Sequence, residues 1–338
     1  MQFKKAELLE ILAKVKPGLA QKGIVEQFTH FIFSGTEVVT YNDQICISHP
    51  LETDFHCSAK ADDFYKMIKG VKEDTVEVSL VNEKLVIQSG KTKGCLSTTV
   101  EAKAEELVKL LALPGLEEHW APLPEDFLSG IFLTMFGASK DMTKGILTCI
   151  QVKDDNLISS DEVRISHYRM KTPFEHSVLI PRSSAGELVK FPVVKFVFEE
   201  NWAHFCTEAN VTFSTRIQSG DYPDVVHFID SMEGDDLTLP PELREVVDSV
   251  YFMTDGEVDL DRRITVRATQ DTLMVKAEKD IGWVEKTIDF KMDRDTIAFD
   301  INPQMFSQVL EKATKMLVAT NAALFESGTF RHLVALPE

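Results

Sequence analysis

Few residues of this sequence stand at spacings that a reaction would demand. Gly90-Lys91-Thr92 resembles the end of a phosphate-cradling loop, but such a loop needs a glycine five residues before its Gly-Lys pair, and that position is Leu85. β-like runs flank the tripeptide and no helical pattern follows it, so a hairpin turn is expected. Asp255-Gly256-Glu257-Val258-Asp259-Leu260-Asp261 places carboxylates at alternate positions. A calcium loop of the EF-hand type would need glycine where Leu260 stands and glutamate where Val266 stands, so an acidic loop is expected. The nine histidines and five cysteines form no paired zinc-ligand pattern. His56 beside Cys57, or Ser183 ahead of Lys190, could be drawn as base and nucleophile, yet such a site is assembled in space and sequence neighbours carry little weight. The chain therefore reads as a non-enzyme, with no catalytic residue, metal or cofactor expected.

What remains for chemistry is charge. The chain has 338 residues, 36 Lys+Arg against 54 Asp+Glu, and a net charge of −18. Six segments with helical periodicity sum to +3, which leaves −21 on the rest. A weakly basic set of helices on an acidic body fits loose, sequence-independent contact with a polyanion better than base readout. The composition, 44% hydrophobic and 27% charged, is that of a globular protein and excludes disordered, collagen-like and coiled-coil classes. Mixed charge at the start and no long apolar run predict neither secretory leader nor membrane span, and the odd, scattered cysteines read as buried free thiols, so a cytoplasmic location is expected.

The elements that carry these residues repeat. Met67-Ile68, Leu188-Val189 and Val309-Leu310 recur at an offset of 121 residues, as do Val76, Val197 and Val318. Each third opens with an amphipathic helix: Glu7 to Val15, Glu125 to Phe136 after Pro124, and Glu242 to Met253 after Pro240-Pro241. Strands then follow, including Phe31-Ile32-Phe33, Ile146 to Ile150 and Ile264 to Val266. After a second helix come closing strands: Lys84 to Gln88 and Cys95 to Thr99, Ala203 to Glu208 and Val211 to Ile217, and Ala322 to Phe325 and Phe330 to Ala335. The expected fold is α+β, three repeated domains, each with two helices on one face of antiparallel sheet. Ala121 to Pro124 and Met232 to Asp236 read as linkers, giving domains at 1–120, 121–236 and 237–338.

Several motifs resemble those of the bacterial-type DNA polymerase sliding clamp, the beta subunit of the replicative polymerase. They include Leu85 to Lys91 followed by Leu96-Ser97-Thr98, His176 to Arg182 leading to Glu187-Leu188, and Phe213 to Arg216 followed by Gly220-Asp221-Tyr222-Pro223-Asp224. Ile297 to Asp300 and the apolar close Leu333 to Pro337 are similar to the third domain of that family.

The resemblance implies a processivity factor: a head-to-tail homodimeric ring around duplex DNA, placed by a clamp loader and tethering the replicative polymerase and other partners by short peptides. Lys22 falls where the family has a basic residue facing DNA; with it, Lys4, Lys5, Lys14, Lys16, Lys60, Lys66, Lys69, Arg182, Lys190, Lys312 and Lys315 are candidate phosphate contacts. The implied peptide cleft takes Thr143, Ser160, Val163, Arg164, Ile165, Pro223, His227, Leu333, Val334, Ala335, Leu336 and Pro337. The chain departs from the family at Ser160-Asp161-Glu162-Val163-Arg164-Ile165, where a glycine is replaced, and at its end, which lacks an Arg-Leu pair. The alternative reading is an acidic DNA mimic that blocks a DNA-binding partner.

Overall fold

A computed structural model describes residues 1–20, 26–98, 119–256 and 261–337. Lys22 and residues 257–260 of the acidic run lie outside the described residues. The chain makes three passes through one order of elements. The first is β1 (Gln2–Lys4), α1 (Lys5–Val15), β2 (His30–Ser34), β3 (Glu37–Tyr41), β4 (Ile45–Pro50), β5 (His56–Lys60), α2 (Ala61–Gly70), β6 (Thr75–Val81), β7 (Lys84–Ser89) and β8 (Thr92–Ser97). The second is β9 (Ala121–Pro122), α3 (Phe127–Thr134), β10 (Cys149–Ser160), β11 (Arg164–Pro181), α4 (Arg182–Leu188), β12 (Val193–Phe198), β13 (Trp202–Thr207) and β14 (Thr212–Arg216). After α5 (Val226–Asp230), the third is β15 (Asp235–Thr238), α6 (Leu243–Val250), β16 (Ile264–Ala268), β17 (Thr272–Lys279), β18 (Gly282–Asp289), β19 (Ile297–Ile301), α7 (Pro303–Leu310), β20 (Lys315–Val318), β21 (Ala322–Ser327) and β22 (Phe330–Ala335). In the second pass the two long strands β10 and β11 stand where the others have four short ones.

The helices form where apolar residues recur at three and four. Leu8, Leu12 and Val15 of α1 are buried, as are Leu243, Val246, Val247 and Val250 of α6. Asn302 caps α7, accepting from the Met305 amide at 3.0 Å, and Pro303 sits in its first turn. α1 packs on α2, and α6 on α7.

The strands join across passes, all antiparallel. In one compact unit, residues Met1–Glu125 with Ser183–Gln218, one sheet runs β1-β6-β7-β8 and an eight-stranded sheet runs β5-β2-β3-β4-β14-β13-β12-β9. There β4 of the first pass pairs with β14 of the second, Thr212 opposite Ser48 and Thr215 opposite Ile45. In the other, Asp126–Arg182 with Ser219–Glu338, the sheets run β10-β11-β22-β21-β20-β15 and β18-β17-β16-β19. There β11 of the second pass pairs with β22 of the third, Arg164 opposite Val334 and Tyr168 opposite Phe330.

Three details differ from the sequence reading. Ile146 to Thr148 is not strand but the end of a 3-10 segment, Met142–Thr148, and the strand starts at Cys149. Gly145 within it has φ +55°, a left-handed value that breaks extended backbone. Both expected linkers hold short edge strands: Pro122 lies opposite Lys195, and Asp235–Thr238 pairs with β20, burying Leu237. Edge positions tolerate proline and charge, so composition hides them. Cys95 on β8 is exposed; the other four cysteines are buried and free. Gly90 does form the β7–β8 hairpin turn, with φ +54°.

Candidate DNA-facing cations and peptide cleft

In the first unit the predicted cations lie along α1 and α2, whose apolar stripes face inward and turn the lysines out. Lys4, Lys14, Lys60, Lys66 and Lys69 are exposed, while Lys5 and Lys16 are half-buried. Most are held loosely by neighbours: Lys4 pairs with Glu7 at 2.7 Å, Lys14 with Glu10 at 2.8 Å, and Lys60 with Asp63 at 3.8 Å. The hydrogen bond to Glu7 raises the Lys4 pKa above its ordinary value. Such exposed pairs are screened by solvent and hold their lysines only weakly. Lys16 lies 4.0 Å from the Tyr65 ring centroid and 3.8 Å from Asp62, and Lys5 donates to the Val71 carbonyl at 2.5 Å. Lys190, beyond α4, pairs with Glu187 at 2.8 Å.

The cations of the second unit are of another kind. Arg182 donates to the carbonyls of Phe136 and Ala138, and burial followed by the charge of Arg164 lowers its pKa. Lys312 has a side chain only 11% exposed, with Nζ 4.5 Å from the Phe132 ring and 5.5 Å from Phe136. Both are committed to protein groups, and of the three only Lys315 is fully at the surface. Against the same Phe136 ring, 4.4 Å away, lies His332, buried, with Nδ1 2.8 Å from the Ser166 hydroxyl and Nε2 without a hydrogen-bond partner among the described residues. Burial first, then Arg164 and Lys312, hold its pKa well below the ordinary value, so it is neutral.

The cleft residues all fall in this second unit, on the side where β10, β11 and β22 meet α5. Alternation along β22 sorts them. Leu333 packs on the cluster of Ile158, Ile165, Val225, Ile229 and Leu324. Val334 and Leu336 point the other way, into the large core with Phe325 and Phe330, so they do not line the candidate cleft. Ala335 is exposed, and its amide donates to the Val163 carbonyl at 2.8 Å. Pro223 and His227 are exposed beside the apolar patch, Val163 is 38% exposed, and Pro337 is half-buried. Ser160 donates its amide to the Tyr222 hydroxyl at 2.8 Å, and burial pushes the pKa of that phenol well above its ordinary value, fixing it as a neutral partner. Arg164 is buried and donates to Asp161 at 2.7 Å and to Gln308 at 3.2 Å. Thr143 is held by Asp141, which accepts from its amide at 2.9 Å and its hydroxyl at 2.8 Å. The amide bond is the chief reason the Asp141 carboxyl sits below its ordinary pKa.

Sequence reasoning missed several members of this surface. Lys144 and Glu162 pair at 2.6 Å, next to Thr143 and Val163. Met142 is 75% exposed beside them and Phe228 is 53% exposed on α5. The turn Asp161-Glu162 offered a signal, but the position of Lys144 across from it is set by tertiary structure. A Ser214–His204–Glu199 row, 2.8 and 3.4 Å apart, resembles a hydrolase triad, yet Ser214 is 4% exposed between β13 and β4. Among the described residues no three His, Cys, Asp or Glu side chains gather as a metal site, and no helix is long and apolar enough to cross a membrane.

No protein-family profile matches the sequence, and no curated protein matches it. Solved structures do. The DNA polymerase sliding clamp of Bacillus subtilis superposes with a TM-score of 0.83 at 20% identity, over 100% of this chain and 98% of that one. The DNA polymerase beta subunit of Streptococcus pyogenes gives 0.84 at 18%, over 100% and 99%. The Helicobacter pylori beta clamp bound to a DNA ligase peptide gives 0.81 at 14%, over 100% and 99%. Over its whole length the chain has the fold of the bacterial DNA polymerase beta sliding clamp.

Proposed function

We propose that the protein is a DNA sliding clamp: a head-to-tail homodimer that encircles duplex DNA and tethers the replicative polymerase and other partners through short peptides. The observation that carries this reading is the pattern of strand pairing. β14 and β22, the last strands of the second and third passes, each pair with a strand of the preceding pass, β4 and β11. Among the described residues β8, the last strand of the first pass, ends its sheet unpaired, and so does β18, which occupies in the third pass the place of β4 in the first. The pairing missing from one chain is completed by a second copy, β18 of one against β8 of the other, and two such joints close six repeats. Around β18, Ile281 is 86% exposed, Trp283 58% and Phe252 65%, the apolar anchors such a joint needs.

The division into three domains, 1–120, 121–236 and 237–338, belongs to the same proposal, each domain sharing a sheet with the next. The exposed lysines of α1 and α2 supply sequence-independent phosphate contact and permit sliding. The fold neighbour bound to a DNA ligase peptide supports a peptide-docking role for the surface around Leu333. The acidic-mimic alternative leaves the open strand edges unexplained. The test is retention: after incubation with a clamp loader and ATP, the protein stays on nicked circular DNA through gel filtration and is lost when the circle is linearised. Equal retention on both forms would overturn the proposal.

A further inference from the structure

The rim of the candidate cleft carries a feature that the clamp reading does not require. Glu162, at the tip of the β10–β11 turn, has φ +80°, a left-handed value that disfavours any residue with a Cβ. Its carboxylate nevertheless reaches across to the Lys144 ammonium at 2.6 Å. The two residues come from separate elements, and each adjoins a candidate cleft residue, Val163 and Thr143. Both flanking turns are locally fixed: Asp161 accepts from the Val163 amide at 3.4 Å and the Arg164 amide at 3.2 Å, and Asp141 holds Thr143. What local bonds leave free is the separation of the two turns. On the Lys144 side the backbone can vary it, because Gly145 follows with φ +55° and open space where a side chain would stand.

We propose that the Lys144–Glu162 ion pair is a clasp that sets the width of the cleft mouth, making Glu162 and Lys144 positioning residues for the partner peptide. This rests on the cleft reading above. An incoming peptide then meets two rims already at their bound spacing and need not order them, which is where affinity is gained. The clasp is itself exposed, 39% at Lys144 and 56% at Glu162, so its contribution is modest and falls with salt.

The probes are a labelled DNA ligase peptide, of the kind held by the H. pylori clamp, and griselimycin, which is bound in a Pseudomonas aeruginosa clamp structure. Fluorescence anisotropy of the peptide, and its displacement by griselimycin, are measured with wild type, Glu162→Gln, Lys144→Met and the charge exchange Lys144→Glu/Glu162→Lys, at low and high salt. The expected result is a loss of up to about fivefold in affinity for each single variant at low salt, recovery in the exchange, and convergence of all four proteins at high salt. Unchanged affinity in the single variants, or an exchange variant as weak as they are, overturns the clasp while leaving the cleft intact. Wild type that binds neither probe overturns the cleft reading and the clasp with it. Unaltered thermal melting of the variants separates positioning from folding.

Discussion

Two kinds of sheet border coexist in this chain, closed joints and open edges. At the β4–β14 joint, Phe213 sits fully buried opposite Ile47, and the ladder runs unbroken from Thr212 to Thr215. At β18 the border shows Trp283 and Ile281 to solvent, and β8 shows Cys95. The same architecture is saturated in one place and unsaturated in the other. Natural edge strands are usually blunted by charge, proline or cover; β18 carries exposed Glu285, Lys286 and Asp289, and its apolar exposure is concentrated at Trp283 with Ile281 just before the strand. The joint lies within the folded chain, whereas the edge is where the proposed second copy would pair.

Substitutions at the two borders should therefore fail differently. The largest effect on stability is expected inside a joint: Phe213→Ala should cost about 3–5 kcal/mol in urea unfolding, whatever the protein concentration. At the edge, Trp283→Ala should change the stability of the isolated chain by about 0.5 kcal/mol or less, yet weaken self-association by about 2 kcal/mol or more, read by sedimentation over a dilution series. If Trp283→Ala unfolds the chain as Phe213→Ala does, the contrast between joint and edge is wrong.

Acid should act on the joints before the edges. In the β11–β22 joint, His167 accepts at Nδ1 from Arg331, 2.9 Å away, and Asn156 Oδ1 lies 2.7 Å from its Nε2. Burial and then Arg331 lower its pKa from 6.5 to about 4. His332 in the same joint is lowered as well. A histidine lowered in the folded state leaves the unfolded chain binding more protons, so the stabilisation is complete above about pH 6.5 and is lost as pH falls toward 4. Between pH 7.5 and 5.0 the second unit should lose about 4 °C or more in melting temperature, and His167→Gln should flatten that dependence. The smallest effect is expected on the helices: Lys66→Gln with Lys69→Gln should leave folding and self-association unchanged, and reduce the salt dependence of sliding on DNA by about one unit of slope for each lysine that faces a phosphate.

The sequence made the helices, the repeat and most strands legible, because periodicity is a local property and the 121-residue offset needs only one stretch of sequence compared with another. It did not show that β9 and β15 are strands, since edge pairing asks little of side chains such as Pro122 or Asp235. Gly234 is legible only in the fold: a side chain there would run into the Val318 backbone as the chain enters β15. Charge counting grouped the lysines of α1 and α2 with Arg182 and Lys312, whose partners are carbonyls and rings brought close by folding. At the candidate cleft, alternation along Leu333 to Leu336 divides the two faces of β22, yet only the pairing with β11 says which face is which. Lys144 and Glu162 lie eighteen residues apart and meet at 2.6 Å, which no spacing rule would find.

Completion of the open edges β8 and β18 by a second copy is what separates a ring from a lone chain. Sedimentation equilibrium tests it most directly. The expected mass is twice that of the 38.1 kDa chain, falling to the chain mass when Trp283 and Ile281 are both replaced by aspartate. A wild-type protein that stays at the single-chain mass at concentrations of tens of micromolar would contradict it.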